Sequence, residues 1–202
     1  MKKLILILYI PVLIFTASCD NNGISRNGDG EKVYTYSPIG WQMAIPENWE
    51  ILSETQRDKL AYAAQNYYEE ESLSNPNDGE KKIILGVRKS KDDINSVYAF
   101  VRSYNREEDH PSLHDLLTQQ YRSYSADFYS ADTSLTKEII DGISFEIAVL
   151  SVQYRDKPYF TYTTYSTMLD TLNFGVSIVS NNANDEDMLI NNFKSSISSL
   201  KK

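Results

Sequence analysis

Two histidines, His110 and His114 in DHPSLHD, stand four residues apart near a helix-like segment. On one helical face such a pair could ligate zinc, with Asp109 or Asp115 beside it. Zinc needs a third firm ligand, and the chain has only these two histidines and a single cysteine, Cys19. Pro111 also draws His110 away from the helix, because the residue before a proline avoids the α region. Both histidines therefore read as solvated residues at a helix start, and no metal is expected. Carboxylates cluster at Glu69-Glu70-Glu71, Glu107-Glu108-Asp109 and Asp185-Glu186-Asp187. Calcium needs oxygens wrapped around one point, and neither residues 27–31 nor residues 75–80 has the spacing of such a loop. No G-x-S-x-G elbow presents a nucleophile. No glycine-rich loop cradles a phosphate either: the chain has 8 glycines, three of them in residues 20–32. A carboxylate pair for glycoside hydrolysis is the one catalytic device that spacing alone leaves standing. No cofactor is expected.

Cys19 has a different context. Lys2 and Lys3 precede an apolar run at residues 4–15 (LILILYIPVLIF), and Thr16, Ala17 and Ser18 supply small residues before the cysteine. Twelve apolar residues are too few to cross about 30 Å of hydrocarbon, so the run reads as an export signal and not an anchor. The TASC tetrapeptide resembles a bacterial lipobox, with Cys19 at the position of the lipidated cysteine. It departs from the commonest form in lacking leucine at Phe15 or Thr16. The resemblance implies a cleaved signal at residues 1–18 and attachment to the membrane through lipid on Cys19. Asp20 next to that cysteine is an inner-membrane retention signal in enterobacteria. Other phyla read the position differently, and the placement expected here is the outer membrane, periplasmic or surface-facing. Residues 20–32 (DNNGISRNGDGEK) are polar and lack apolar periodicity, so 19–32 reads as a flexible tether. Such a tether would hold a domain roughly 20 Å from the bilayer.

After loss of the signal, the 20 basic residues fall to 18 against 28 acidic, a formal charge of −10. Such a surface repels nucleic-acid phosphates and anionic headgroups, so no nucleic-acid partner is expected. With a lone cysteine no intrachain disulfide can form, and residues 33–202 are long enough to bury a core without one. Of 15 tyrosines, 14 lie beyond the signal, mainly in alternating segments. Tyr154, Tyr159, Tyr162 and Tyr165 form a candidate binding surface. Strand period 2 puts Tyr159 and Tyr165 on one face and Tyr162 on the other. Asp170-Thr171-Leu172 resembles the O-glycosylation signal of Bacteroidetes envelope proteins and falls in an expected turn.

The elements that must position these residues alternate between two periods. Strands are expected at residues 33–36, 39–45, 82–89, 96–104, 134–140, 143–154, 159–167 and 172–180. Three helices are expected. The first is capped by Ser53 and Gln56, with Leu60, Ala64, Tyr67 and Tyr68 on one face. The second starts near Pro111 and carries Leu113, Leu116, Leu117 and Tyr124. The third is capped by Asn184 and packs Leu189, Phe193, Ile197 and Leu200 inward. Antiparallel meanders interrupted by helices make a single α+β domain over residues 33–202. The run Ala44-Ile45-Pro46-Glu47-Asn48-Trp49, the helix after it, the central meander and the C-terminal helix ending in a Ser-Leu pair resemble the Mog1/PsbP-like α/β/α sandwich. That resemblance implies an antiparallel sheet with helices packed on it. It also implies a bias towards binding, since the family includes photosystem-associated proteins, a Ran-binding factor and envelope lipoproteins. The function expected is a non-catalytic binding or accessory module of the envelope, partnered by an envelope protein or a small ligand. A carboxylate-based envelope hydrolase is the alternative.

Overall fold

The computed structural model describes residues 23–70, 78–104, 117–118, 121 and 129–200, the side chains of 63–70 and 78–80 excepted. Ten strands and two long helices follow one another in it: β1 (Gly23–Arg26), β2 (Lys32–Tyr36), β3 (Trp41–Ala44), β4 (Glu50–Ile51), α1 (Glu54–Glu70), β5 (Asp78–Arg88), β6 (Ser96–Tyr104), β7 (Tyr129–Ile140), β8 (Ile143–Tyr154), β9 (Lys157–Leu169), β10 (Leu172–Ser180) and α2 (Ala183–Ser196). Two antiparallel sheets result. The smaller has the order β1-β2-β3 and the larger β4-β5-β6-β10-β9-β8-β7. Of the second expected helix, only Leu117, Thr118 and Tyr121 are described, and they are helical.

The larger sheet buries both faces in its middle, and among the apolar side chains there buried hydroxyls pair with each other, as Thr164 does with Ser177. On one face Val97, Ala99 and Val101 of β6, Phe174, Val176 and Ile178 of β10, and Phe145 and Ile147 of β8 join Trp41, Met43, Leu189, Phe193 and Ile197 in the main core. Those last five belong to the small sheet, α2 and the turn after it, which together cover that face. The opposite face buries Leu150, Val152 and Phe160 with Leu117. Trp41 is the keystone of the main core. Its ring meets Phe174 at 5.1 Å edge-on, and its Nε1–H donates to Ser196 Oγ at 2.7 Å. A buried indole is stable only when that donor is satisfied.

Local chemistry explains the element ends. Gln56 Oε1 accepts from the Ser53 amide at 2.8 Å, and Ser53 Oγ accepts from the Gln56 amide, forming the expected capping box at the head of α1. Asp141 and Gly142, at φ 47° and 80°, make the two-residue turn joining β7 to β8. Trp49 closes the Pro46 turn with a 3.1 Å amide-to-carbonyl bond.

Three expectations need correction. The segment 19–32 is not tether throughout, because Gly23–Arg26 pairs with β2 from Gly23↔Thr35 to Arg26↔Lys32. The ladder and the Arg26–Glu47 ion pair hold this polar strand without any apolar face. The cap of α2 is Asn182, not Asn184: its side chain accepts from the Asp185 amide at 2.9 Å. The inward face of α1 does not include Leu60, which is 40% exposed. Arg57 takes that role, donating to the carbonyl oxygens of Leu52 and Ile83 at 2.9 and 3.2 Å.

Candidate functional site

Arg155 and Asp156 turn β8 into β9 with both residues left-handed, at φ 51° and 60°. Beside this turn the ladder slips: Val152 pairs with Phe160, but Gln153 pairs with Pro158, leaving Tyr159 as an extra residue. Proline has no N–H to give the ladder, so a bulge at this position is physically expected. Its effect is to re-aim Tyr159 towards Tyr154. A third ring arrives from β7, where Tyr129 is in register with Tyr154. Tyr129 and Tyr154 have ring centroids 5.1 Å apart, Tyr129 and Tyr159 6.0 Å, and Tyr154 and Tyr159 6.3 Å. Phe160 backs the cluster at 5.4 Å from Tyr159. The Arg155 guanidinium carbon lies 5.2 Å over the Tyr154 ring. Tyr129 and Tyr159 are exposed and Tyr154 is half-buried.

Of the four tyrosines expected to form a surface, the structure therefore unites only Tyr154 and Tyr159. Period 2 placed Tyr159 with Tyr165, and the bulge breaks that relation. Tyr165 is 4% exposed and stacks on Phe193 at 4.7 Å, inside the main core. Burial, with help from Glu138 and Glu186, pushes its hydroxyl up to about 12. Tyr162 lies half-buried on the opposite face, donating to Ser177 Oγ at 3.0 Å. Tyr129 went unnoticed in the sequence because Tyr129-Ser130-Ala131-Asp132-Thr133 has no apolar alternation. Its strand is recruited by pairing with β8 along its whole length. Chemically the cluster offers aromatic faces, hydroxyls and one guanidinium, which suits stacking and hydrogen bonding.

The other candidates separate cleanly. Cys19, His110, His114 and Glu107-Glu108-Asp109 lie outside the described residues. Asp185 and Glu186 occupy the first turn of α2, where the helix dipole favours them. Burial works to raise Asp185, but hydrogen bonds from Asn182 and Lys89 outweigh it and hold the carboxyl below its usual range. Several other carboxylates face cations: Glu47 meets Arg26, Glu50 meets Arg88 and Glu138 meets Lys194. The arginine hydrogen bonds hold Glu47 and Glu50 below their ordinary values, the wrong direction for a general acid. Among the described residues no three His, Cys, Asp or Glu side chains are placed to hold a metal ion. No described helix is long and apolar enough to cross a membrane. Asp170 and Thr171 form the exposed tip between β9 and β10.

Antiparallel sheets with helices packed against them define this chain as an α+β protein of PsbP-like fold. No family model matches it, and no curated protein matches its sequence. Among solved structures, cyanobacterial PsbP (CyanoP) from Synechocystis sp. PCC 6803 is similar, with a TM-score of 0.53. The alignment covers 88% of this chain and 96% of that one at 12% identity. At that identity the likeness is one of fold, and no residue's role passes across it.

Proposed function

We propose that the chain is a lipid-anchored protein of the bacterial cell envelope whose domain serves as a non-catalytic binding or accessory module. The observation that carries the binding role is the cluster of Tyr129, Tyr154 and Tyr159. Three strands bring these rings to one place, and a bulge together with two left-handed residues holds Tyr159 outward. An aromatic group kept at the surface by such local strain suits a partner's apolar or planar surface. The anchor rests on the apolar run ending in Thr16-Ala17-Ser18-Cys19. The acidic surface leaves lipid, and not a basic patch, as the means of attachment. A PsbP-like fold agrees with a binding role.

Two substitutions test the two halves of this reading separately. Cys19→Ala should move the protein from the membrane to the soluble fraction of broken cells. Continued membrane partition would remove the anchor. The lipidated wild type and a Tyr159→Ser variant can then be cross-linked in intact envelopes. A partner captured by the wild type and lost from Tyr159→Ser supports the binding face. Equal capture by both proteins would end it.

A further inference from the structure

The side of the larger sheet nearest α1 holds a cleft whose charges are left open. β4 pairs with β5 only at Glu50↔Arg88 and Ile51↔Val87. Earlier along β5 the outer edge is covered by α1, seated through the Arg57 guanidinium on the Ile83 carbonyl. A helix seated there through a guanidinium leaves room beside the sheet. A half-open cleft of about 520 Å³ lies there, within the roughly 300–1,000 Å³ typical of small-ligand sites.

Its two walls carry opposite charge. Glu54, Asp58, Ala61 and Tyr62 share one face of α1 by the i, i+4, i+7, i+8 rule and line one wall. Lys82 of β5, in register with Val101, lines the other, above an apolar floor that includes Val101 and Leu172. Among the described residues, none of the three charged groups Glu54, Asp58 and Lys82 closes an ion pair. Elsewhere opposite charges do meet, as in Arg26–Glu47, Arg88–Glu50 and Lys89–Asp185. Lys82, Glu54 and Asp58 are exposed. Lys81, the neighbour of Lys82, points to the other face of β5, in register with Arg102, and sets its ammonium 4.1 Å from the centre of the Phe100 ring. Burial first, and Arg102 second, push that amine down to about 8. The cleft thus keeps one positive group, Lys82, apart from two negative ones, Glu54 and Asp58, across a ligand-sized gap.

We propose that this cleft binds a small zwitterion of the peptide class, a free amino acid or short peptide, with its ammonium at Glu54 and Asp58 and its carboxylate at Lys82. An apolar side chain of the ligand rests on Val101 and Leu172. A plain anion or cation would meet repulsion from the opposite wall, so only a ligand carrying both charges satisfies both sides. The site shares no residue with the tyrosine cluster and stands or falls independently of it.

The test titrates the free dipeptide Leu-Leu into the full chain and follows amide resonances. Saturable shifts are expected at Ala61, Val101 and Leu172. N-acetyl-Leu-Leu-amide, which has neither charge, should bind roughly tenfold more weakly, and Asp58→Asn or Lys82→Met should each weaken Leu-Leu roughly threefold, as screened single charges do. Both replaced side chains are exposed, so the fold is not at stake. Tyr159→Ser should bind Leu-Leu as the wild type does. Equal binding of the blocked dipeptide, unchanged affinity in both charge variants, shifts that do not saturate, or shifts confined to the tyrosine cluster would each overturn the proposal.

Discussion

Replacing Lys81 with methionine should make the protein more stable, and the gain should fade as pH rises. The residue is half-buried, and its ammonium is withdrawn from water against Phe100. Its folded pKa of about 8 lies below the ordinary 10.5. A depressed lysine binds fewer protons in the folded state than in the unfolded one, so stability rises with pH between about 8 and 10.5. Above that window the amine is neutral in both states and costs nothing electrostatically. Below it the full cost is present, roughly 3 kcal/mol, since each tenfold loss of proton affinity corresponds to about 1.36 kcal/mol. At pH 10 the same two constants leave roughly 1 kcal/mol. The ammonium's attraction to Phe100, about 0.5–2 kcal/mol, offsets part of the cost at neutral pH. Methionine keeps the length and the packing without the charge. Lys81→Met should therefore gain roughly 1–2 kcal/mol at pH 7 and little by pH 10. Urea unfolding of both full chains at pH 7 and pH 10, at constant ionic strength, reads the difference directly, provided that the slopes agree. A variant less stable at pH 7, or one whose advantage is the same at both values, would refute the reasoning.

Two more predictions concern packing. A Cβ placed on Gly175 would lie 2.3 Å from Phe100 Cζ, because the ring rests on the bare backbone of β10. Gly175→Ala should cost about 1–3 kcal/mol in chemical denaturation, the usual penalty of overpacking, and Phe100→Ala in the same chain should make the two losses markedly less than additive; full additivity would show that the contact is not limiting. Ser196→Ala removes the acceptor of the buried Trp41 Nε1–H and should cost about 1–3 kcal/mol, the penalty of an orphaned buried donor. Unchanged stability with unchanged tryptophan fluorescence would mean that the indole had found another partner.

Much of the fold was legible because its signals are local. The Ser53–Gln56 box, the Asp141-Gly142 turn and the inward stripe of Leu189, Phe193 and Ile197 each lie within one or two turns of chain. What escaped depends on partners distant in sequence. Tyr159 leaves its period-2 place because a proline opposite Gln153 cannot donate to the ladder, and periodicity presumes an unbroken ladder. Asn182 caps α2 in preference to Asn184 because a network outside the helix holds the preceding chain extended. In that network Asn95 Oδ1 accepts from Ser180 Oγ and the Asn181 amide, each at 2.9 Å. The α1–β5 cleft escaped for the same reason. Glu54 and Asp58 are neighbours on a helix and Lys82 lies on a strand, but only the tertiary fold sets that lysine opposite the two carboxylates.

The strand that most resisted sequence reading also alters what an anchor at Cys19 would do. Composition assigns thirteen residues of slack after the cysteine, enough for the domain to wander roughly 20 Å from a bilayer. Pairing of Gly23 with Thr35 ties the chain down four residues after Cys19. Four residues reach at most about 14 Å even when fully extended. With Cys19 lipidated as proposed, β1 and the small sheet are thus held against the membrane surface and cannot swing freely above it. The smaller sheet becomes the membrane-proximal part of the domain, and partners reach the binding surfaces with the domain's orientation already restricted. A restricted orientation raises the effective concentration of a ligand on the same surface, and a long tether would dilute it. Inserting a flexible Gly/Ser segment of about 20 residues between Cys19 and Gly23 should therefore weaken capture of a membrane-bound partner, while leaving Leu-Leu binding in the cleft untouched.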